Sequence, residues 1–384
     1  MKNTKILLIL AALAVCLCAC GPENAPGETD SSDSTSLSSS QELQPSRPLP
    51  ETDAPGPSVE DDTLPPHEGM ARSRLTNEWV DASVAATRPI AVIIPNEANA
   101  VPHYNLSQAS VLYEANVEGS MTRFMALYDD WKDLEKIGNV RSLRTYYMYW
   151  AFEWDACIVH SGGPFFIDEL IAQPDTQTIN DHLGTDGAAF FEDETRSKPH
   201  RLYANGPGLL EVFNKKNYPL EYRGLADRSH YQFVGKSNPN TLEQYGKSAQ
   251  NAAYIDMSGC YPLTRCYFEY NEEDGLYYRS QYLSRGTDGP HIDAVTGEQL
   301  SFRNIIVQNV IQEDLGEGYL ALQCQDTTQD GWFFTCGKGI HVTWEKTSDY
   351  GATRYYDDNG DEIVLNTGKT MICVVEAGDN FTFR

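Results

Sequence analysis

Ile90-Ala91-Val92-Ile93-Ile94 is an unbroken apolar run closed by Pro95. A run of this kind, with no polar alternation, suits a strand buried on both faces and therefore a sheet covered on two sides. The next hundred or so residues support such a sheet. Residues 105–108 suit a single turn. Residues 110–118 and 121–129 are rich in Val, Leu, Met and Tyr, and Gly119-Ser120 between them makes a hairpin. Ser142 is a good N-cap for a helix over 143–152, residues 156–160 read as the next strand, and helices suit 165–173 and 209–214. Strands alternating with helices predict an α/β domain with a mixed sheet.

Beyond about residue 230 the texture changes. Strand-like segments over 252–255, 265–270, 276–283, 305–312, 319–324, 332–336, 340–344 and 369–375 succeed one another at short spacing, with turn signals at Glu272-Glu273-Asp274-Gly275 and Asp358-Asn359-Gly360. This half is expected to be all-β and mostly antiparallel, which makes the whole chain α+β. The division expected is 1–19 for a signal peptide with a lipobox, 20–75 for a tether, 76–230 for an N-terminal α/β domain and 231–384 for a C-terminal β-rich domain.

The front end carries the targeting information. Lys2 and Lys5 precede an apolar run from Ile6 to Leu17, too short to span a bilayer stably, and Leu17-Cys18-Ala19-Cys20 has the order of a bacterial lipobox. Cleavage before Cys20 and diacylation of its thiol would anchor the chain to the outer face of the cell membrane, since two acyl chains hold where one does not. Ser, Pro, Asp and Glu dominate the next fifty or so residues, a composition that cannot bury enough apolar surface to offset its ordering entropy. As a flexible tether it would reach on the order of 40 Å.

The formal net charge is −26, with no long Lys/Arg run, which argues against nucleic acid and against docking of the protein surface on anionic lipid. Six cysteines lie beyond Cys20. Cys260 and Cys266 bracket a Tyr-Pro turn, and Cys324 and Cys336 flank a hairpin, so one or two disulfides are expected, with buried free thiols as the alternative. The absence of any Cys-x-x-Cys pair, and of ligand spacing among His160, His182 and His200, speaks against a metal centre. No cofactor fingerprint is present.

With these residues in view, the chain resembles the YerB-like bacterial lipoproteins, a two-domain family whose function is not established. The resemblance rests on Arg88-Pro89-Ile90-Ala91-Val92, Tyr113-Glu114, Thr122-Arg123-Phe124, Arg141-Ser142-Leu143-Arg144, His160-Ser161-Gly162-Gly163 and Pro199-His200-Arg201-Leu202-Tyr203. In the second half it rests on Pro290-His291-Ile292-Asp293, Gly337-Lys338, Thr343-Trp344 and Gly368-Lys369-Thr370. Asn139 departs from the pattern where proline is expected, Leu143 where alanine is, and Val342 where glycine is. The resemblance implies an exported, lipid-anchored protein and supplies no reaction.

Candidate site residues gather between Glu114 and His200. Glu114 and Glu118 fall an even number apart on one expected strand, roughly 13 Å between Cα atoms, wider than the 5–9.5 Å of a glycosidase pair. Arginines such as Arg123 are their natural partners. Arg141 and Arg144, at an expected helix start, oppose the helix dipole and require an anion, either Glu114, Glu118 or Asp155 or a ligand. Ser161, Gly162 and Gly163 make either a plain turn or a backbone cradle for that anion. His160, His200 and Glu118 are the candidates for acid–base chemistry, although Ser161 lacks a nucleophile elbow. The aromatic run 146–150 reads as core packing. The function expected is binding of an anionic cell-envelope component or a protein partner, with hydrolysis or group transfer on envelope polymers as the alternative.

Overall fold

The computed structural model describes residues 68–284 and 286–384. The lipobox, Cys20 and nearly all of the acidic segment lie outside the described residues. The folded body begins within the stretch assigned to the tether: Met70–Arg72 pairs with Trp79–Asp81, and Leu75 is fully buried. Residues 70–75 are therefore part of the fold.

Thirteen elements position the candidate site and the two cores. They are β1 (Ile90–Asn96), β2 (Val111–Asn116), β3 (Thr122–Tyr128), α1 (Thr145–Phe152), β4 (Cys157–His160), β5 (Thr178–Asn180), α2 (Gly206–Lys216), β6 (Tyr267–Asn271), β7 (Leu276–Ser284), β8 (Asn304–Val310), β9 (Asp326–Thr335), β10 (Lys338–Lys346) and β11 (Thr370–Glu376). An eleven-stranded mixed sheet contains the spatial order β10-β9-β8-β11-β2-β3-β1-β4-β5. Strands β8, β11 and β2 are parallel neighbours, as are β1, β4 and β5, and the antiparallel β3 sits between the two groups. All six of these parallel strands consequently end at the same edge.

Both faces of this sheet are covered. Ala91 and Ile93 point to one core, shared with Tyr113, Met125 and the α1 residues Tyr147, Met148 and Trp150. Ile90, Val92 and Ile94 point to the other, shared with Leu112, Phe124, the α2 residues Leu209, Val212 and Phe213, and Phe268 and Tyr277 of the second sheet. The period-two alternation of a strand thus divides one apolar run between two cores. The aromatic run is core, as expected: Tyr146, Tyr147 and Trp150 are buried and pack on one another.

The second, six-stranded sheet is antiparallel and includes the expected β6–β7 hairpin. The C-terminal half nevertheless departs from antiparallel order at β11, which is parallel to both of its neighbours. Its sequence, Met371-Ile372-Cys373-Val374-Val375, is buried throughout and has the unbroken apolar character of strands in two-faced sheets. Through β8 and β11 both halves of the chain contribute to one central sheet. No disulfide forms among the described residues. All six cysteines are free thiols, five of them buried, and they pack as small apolar groups.

Candidate functional site

The common carboxyl edge of the parallel strands is where open α/β sheets place ligands. Here it gathers Glu97 after β1, Glu118 after β2, the Ser161-Gly162-Gly163 turn after β4, and Arg123 at the start of β3. The segment 139–144 crosses this edge in extended form. Arg141 N donates to Ile93 O (2.8 Å), Leu143 N to Gly162 O (3.0 Å) and Ser161 N to Arg141 O (3.0 Å). That pinning delays the helix. It starts at Thr145 with Arg144 in the N-cap position and no side-chain cap, so Ser142 does not cap it. Arg141 lies outside the helix altogether.

The two glutamates part company. β2 ends at Asn116, and Glu118 opens a short 3-10 turn in which Gly119 has φ +68°. Glu118 accepts a two-pronged contact from Arg144, Nε to Oε1 and Nη2 to Oε2, each 2.5 Å. Glu114 is fully buried beneath the sheet and takes Arg279 instead, Nη2 to Oε2 at 2.8 Å, with Asn96 Nδ2 and Thr122 Oγ1 on its other oxygen. Arg123 pairs with neither glutamate; its Nη1 donates to Ser142 O (2.5 Å), and burial pulls its pKa down to about 10, with Arg144 adding to the effect. Arg144 is thus a structural cation. Arg144→Ala should cost on the order of 2 kcal/mol, less than a fully buried pair because Glu118 keeps some solvent. Urea denaturation measures this; an unchanged midpoint would show the contact to be dispensable.

The glycine turn is structural as well. Ser161 N and Gly162 N are both spent, the latter on Asn180 Oδ1 (2.9 Å), and Gly162 O accepts from His160 Nδ1 (2.8 Å). Gly162 has φ +63°, and a Cβ there would meet the His182 ring at 2.5 Å. The turn leads into a 3-10 turn and a four-residue helix headed by Asp168 and Glu169, which offers an anion nothing. His160 is fully buried, and burial lowers its pKa to about 4, so it is neutral at pH 7. With His160 enclosed and Glu118 occupied, two of the three acid–base candidates are committed to the fold.

His200 differs. Its Nε2 lies 3.3 Å from Glu97 Oε1, and burial, with Arg141 and then Arg196, pushes its pKa down to about 4. The contact joins a neutral ring to a carboxylate. Burial raises the pKa of Glu97, against the pull of Arg141 and Arg123. Asn139 ties the cluster together: its Nδ2 donates to His200 O (3.1 Å) and Ala100 O (3.3 Å), bonds that a proline at this position could not make. Arg141, two residues on, has neither hydrogen bond nor ion pair from its side chain among the described residues, and its Nε is buried without a partner.

Sequence reasoning missed Glu97, Arg196, and the buried pair His103–His291 (Nδ1 to Nε2, 2.8 Å) that continues the Arg279 network. The alternation of Tyr277, Arg279 and Gln281 on β7, all facing inward, was the available signal for Arg279. No group of three or more His, Cys, Asp or Glu residues is arranged to hold a metal among the described residues.

The family of proteins of unknown function DUF3048 matches this chain twice, its N-terminal domain at residues 75–219 and its C-terminal domain at 258–372. The chain belongs to this YerB-like family. It is 24% identical over 295 residues to "Putative lipoprotein YerB" of Bacillus subtilis (strain 168), covering 75% of this chain and 82% of the relative. The crystal structure of YerB protein from Bacillus subtilis shares the fold, with a TM-score of 0.67 at 22% identity over 81% of this chain and 99% of that one. Arg123, Arg141, Arg144 and His200 all fall within the first of the two matched segments.

Proposed function

We propose that this chain is a lipoprotein anchored through diacylglycerol on Cys20 at the extracytoplasmic face of the cell membrane, and that it binds an anionic cell-envelope component at the carboxyl edge of its central sheet. The anchoring reading is supported by the order of charged start, apolar run and Leu17-to-Cys20 box, and by the name of the Bacillus relative. Cys20→Ala should abolish labelling by a fatty-acid analogue, because only a thiol at that site can be acylated; continued labelling would sink the assignment.

One observation carries the binding reading. Arg141 is a guanidinium with no acceptor among the described residues, at a sheet edge where the other buried arginines have one. A half-buried cation without a partner is costly in a finished core and useful in a site that a ligand completes. Arg141→Gln should leave the midpoint of unfolding within about 0.5 kcal/mol of wild type, as expected where no intramolecular partner is lost. It should remove the stabilisation that inorganic phosphate confers on the wild type, about 2.7 kcal/mol at one hundred times the dissociation constant. A variant that still responds to phosphate as the wild type does would refute the assignment.

A further inference from the structure

Next to Arg141 lies an open cavity of about 560 Å³ formed by the chain just beyond β1 and by residues 195–200. Asn99, Val101, Arg196, Lys198 and His200 line it, and no carboxylate does. Arg196 is held in place from behind: its Nη2 reaches the carbonyls of Asn99 (3.1 Å), Ala100 (3.0 Å) and Val101 (3.1 Å). Its remaining N–H groups have no partner among the described residues, so the guanidinium is oriented in advance with donors to spare. Lys198 has no ion pair among the described residues. Glu192, a carboxylate on which it acts, is taken by Arg201. His200 is nine-tenths buried and its Nδ1 has no partner among the described residues.

The cavity and Arg141 are joined. Ala100 O accepts from both Arg196 Nη2 and Asn139 Nδ2, and Arg141 lies two residues beyond Asn139. Arg123 and Arg141 at one end and Arg196 and Lys198 at the other gather four cations, against Glu97, on which Arg141 and Arg123 both act, and against Glu118 and Glu192, which Arg144 and Arg201 already take. The far end of the same sheet edge has the opposite character. A cavity of about 340 Å³ there is lined by Glu376 and Asp379, with no Lys, Arg or His. Of these two cavities, the one lined by Arg196 and Lys198 is the one that suits a chain with repeated negative groups, in a protein whose overall charge is −26.

We infer that the ligand is a linear polyanion, its oxyanion groups repeating along the chain, which bridges Arg141 and the Arg196–Lys198 cavity. This rests on the reading of Arg141 as an anion contact and adds a second, separate contact to it. Joining two contacts in one ligand raises affinity well beyond either alone, by up to about 10²–10⁴-fold. A phosphate polymer and a carboxylate polymer share this chemistry.

The test is titration calorimetry of the full chain in detergent against inorganic phosphate, tripolyphosphate, long-chain polyphosphate and a matched series of glutamate oligomers. A rise in affinity of about tenfold or more from the short to the long probe, in either series, is expected and identifies the oxyanion taken. Lys198→Gln should erase that rise, and Arg141→Gln should weaken every probe. A length series that Lys198→Gln does not alter overturns the bridging ligand and leaves the Arg141 site standing. Failure of every anion to bind overturns both. Binding to phosphatidylglycerol vesicles with no binding to either polymer would also overturn it, in favour of a lipid surface.

Discussion

Lowering the pH from 7 to 5 should remove roughly 6 kcal/mol of folding stability, a large part of the 5–15 kcal/mol a domain of this kind commonly has. The cause is a set of histidines enclosed in neutral form. Burial holds His103, His160 and His230 at about 4, and in His103 the nearby Arg279 adds to the effect. His291, between Arg279 and His103, is lowered further still, by burial first and those two groups next. None of these rings has solvent to accept its charge: His103 Nε2 faces Pro95 O (2.8 Å), and His230 stacks on Trp154 at 3.5 Å. In the unfolded chain each titrates near 6.5. Between that value and 4 the unfolded state binds protons that the folded state refuses, so stability is full above 6.5 and falls as the pH drops. At pH 5 the loss is roughly 2 kcal/mol for each of the three histidines. Urea melts at pH 7.5, 6 and 5 measure it directly. A midpoint that stays level across that range would mean these rings are reached by water in the folded protein.

Arg279→Ala should be strongly destabilising. Arg279 and Glu114 are both fully buried, and the arginine also donates to Gln281 Oε1 (2.6 Å) and contacts His291 Nδ1 (2.5 Å). Removing it leaves the Glu114 carboxyl group enclosed without its cation, with Asn96, Thr122 and a distant Cys266 thiol as its remaining side-chain partners among the described residues. Breaking a buried pair from one side costs about 3–5 kcal/mol. For a body of this size that is a fall in Tm of roughly 5–8 °C. The double variant Glu114→Gln/Arg279→Met should recover most of the loss, because no unpaired charge remains. If the double variant is as unstable as the single, the damage lies in lost packing on β7 rather than in a stranded carboxylate.

The contrast between Arg279 and Arg141 explains why one is a stability residue and the other a candidate for binding. Arg279 reaches across from the second sheet to a strand of the central one, and its charge is answered within the protein. Arg141 belongs to an extended segment pinned over the ends of β1 and β4, and its guanidinium has no hydrogen bond or ion-pair contact among the described residues, Glu97 acting on it only from a distance. Glu153 repeats the first pattern on the opposite face. It accepts from Tyr113 OH (2.6 Å), Thr353 N and Oγ1 (2.9 and 2.7 Å) and Lys346 Nζ (3.3 Å), joining residues distant in sequence through one enclosed carboxylate.

The sequence by itself determined the parts of this protein governed by local pattern. Unbroken apolar runs mark strands that must be covered on both sides, and Ile90–Ile94 and Met371–Val375 are such strands. Glycine pairs and Asp/Asn-Gly turns mark hairpins, and the aromatic run of α1 marks core, because burial of large rings dominates what any helix around them can do. The tertiary structure decided what depends on residues far apart in sequence. Whether Glu114 meets Arg123, Arg144 or Arg279 is set by sheet order, which brings β7 beneath β2 across 165 residues of chain. Strand β11 runs parallel because the sheet admits it between β8 and β2, and no local signal distinguishes a parallel buried strand from an antiparallel one. That Arg141 has no hydrogen-bond partner among the described residues is likewise a property of the assembled edge. A guanidinium is free or satisfied according to which carbonyls and carboxylates the rest of the fold delivers within hydrogen-bond reach of it, and only packing fixes that.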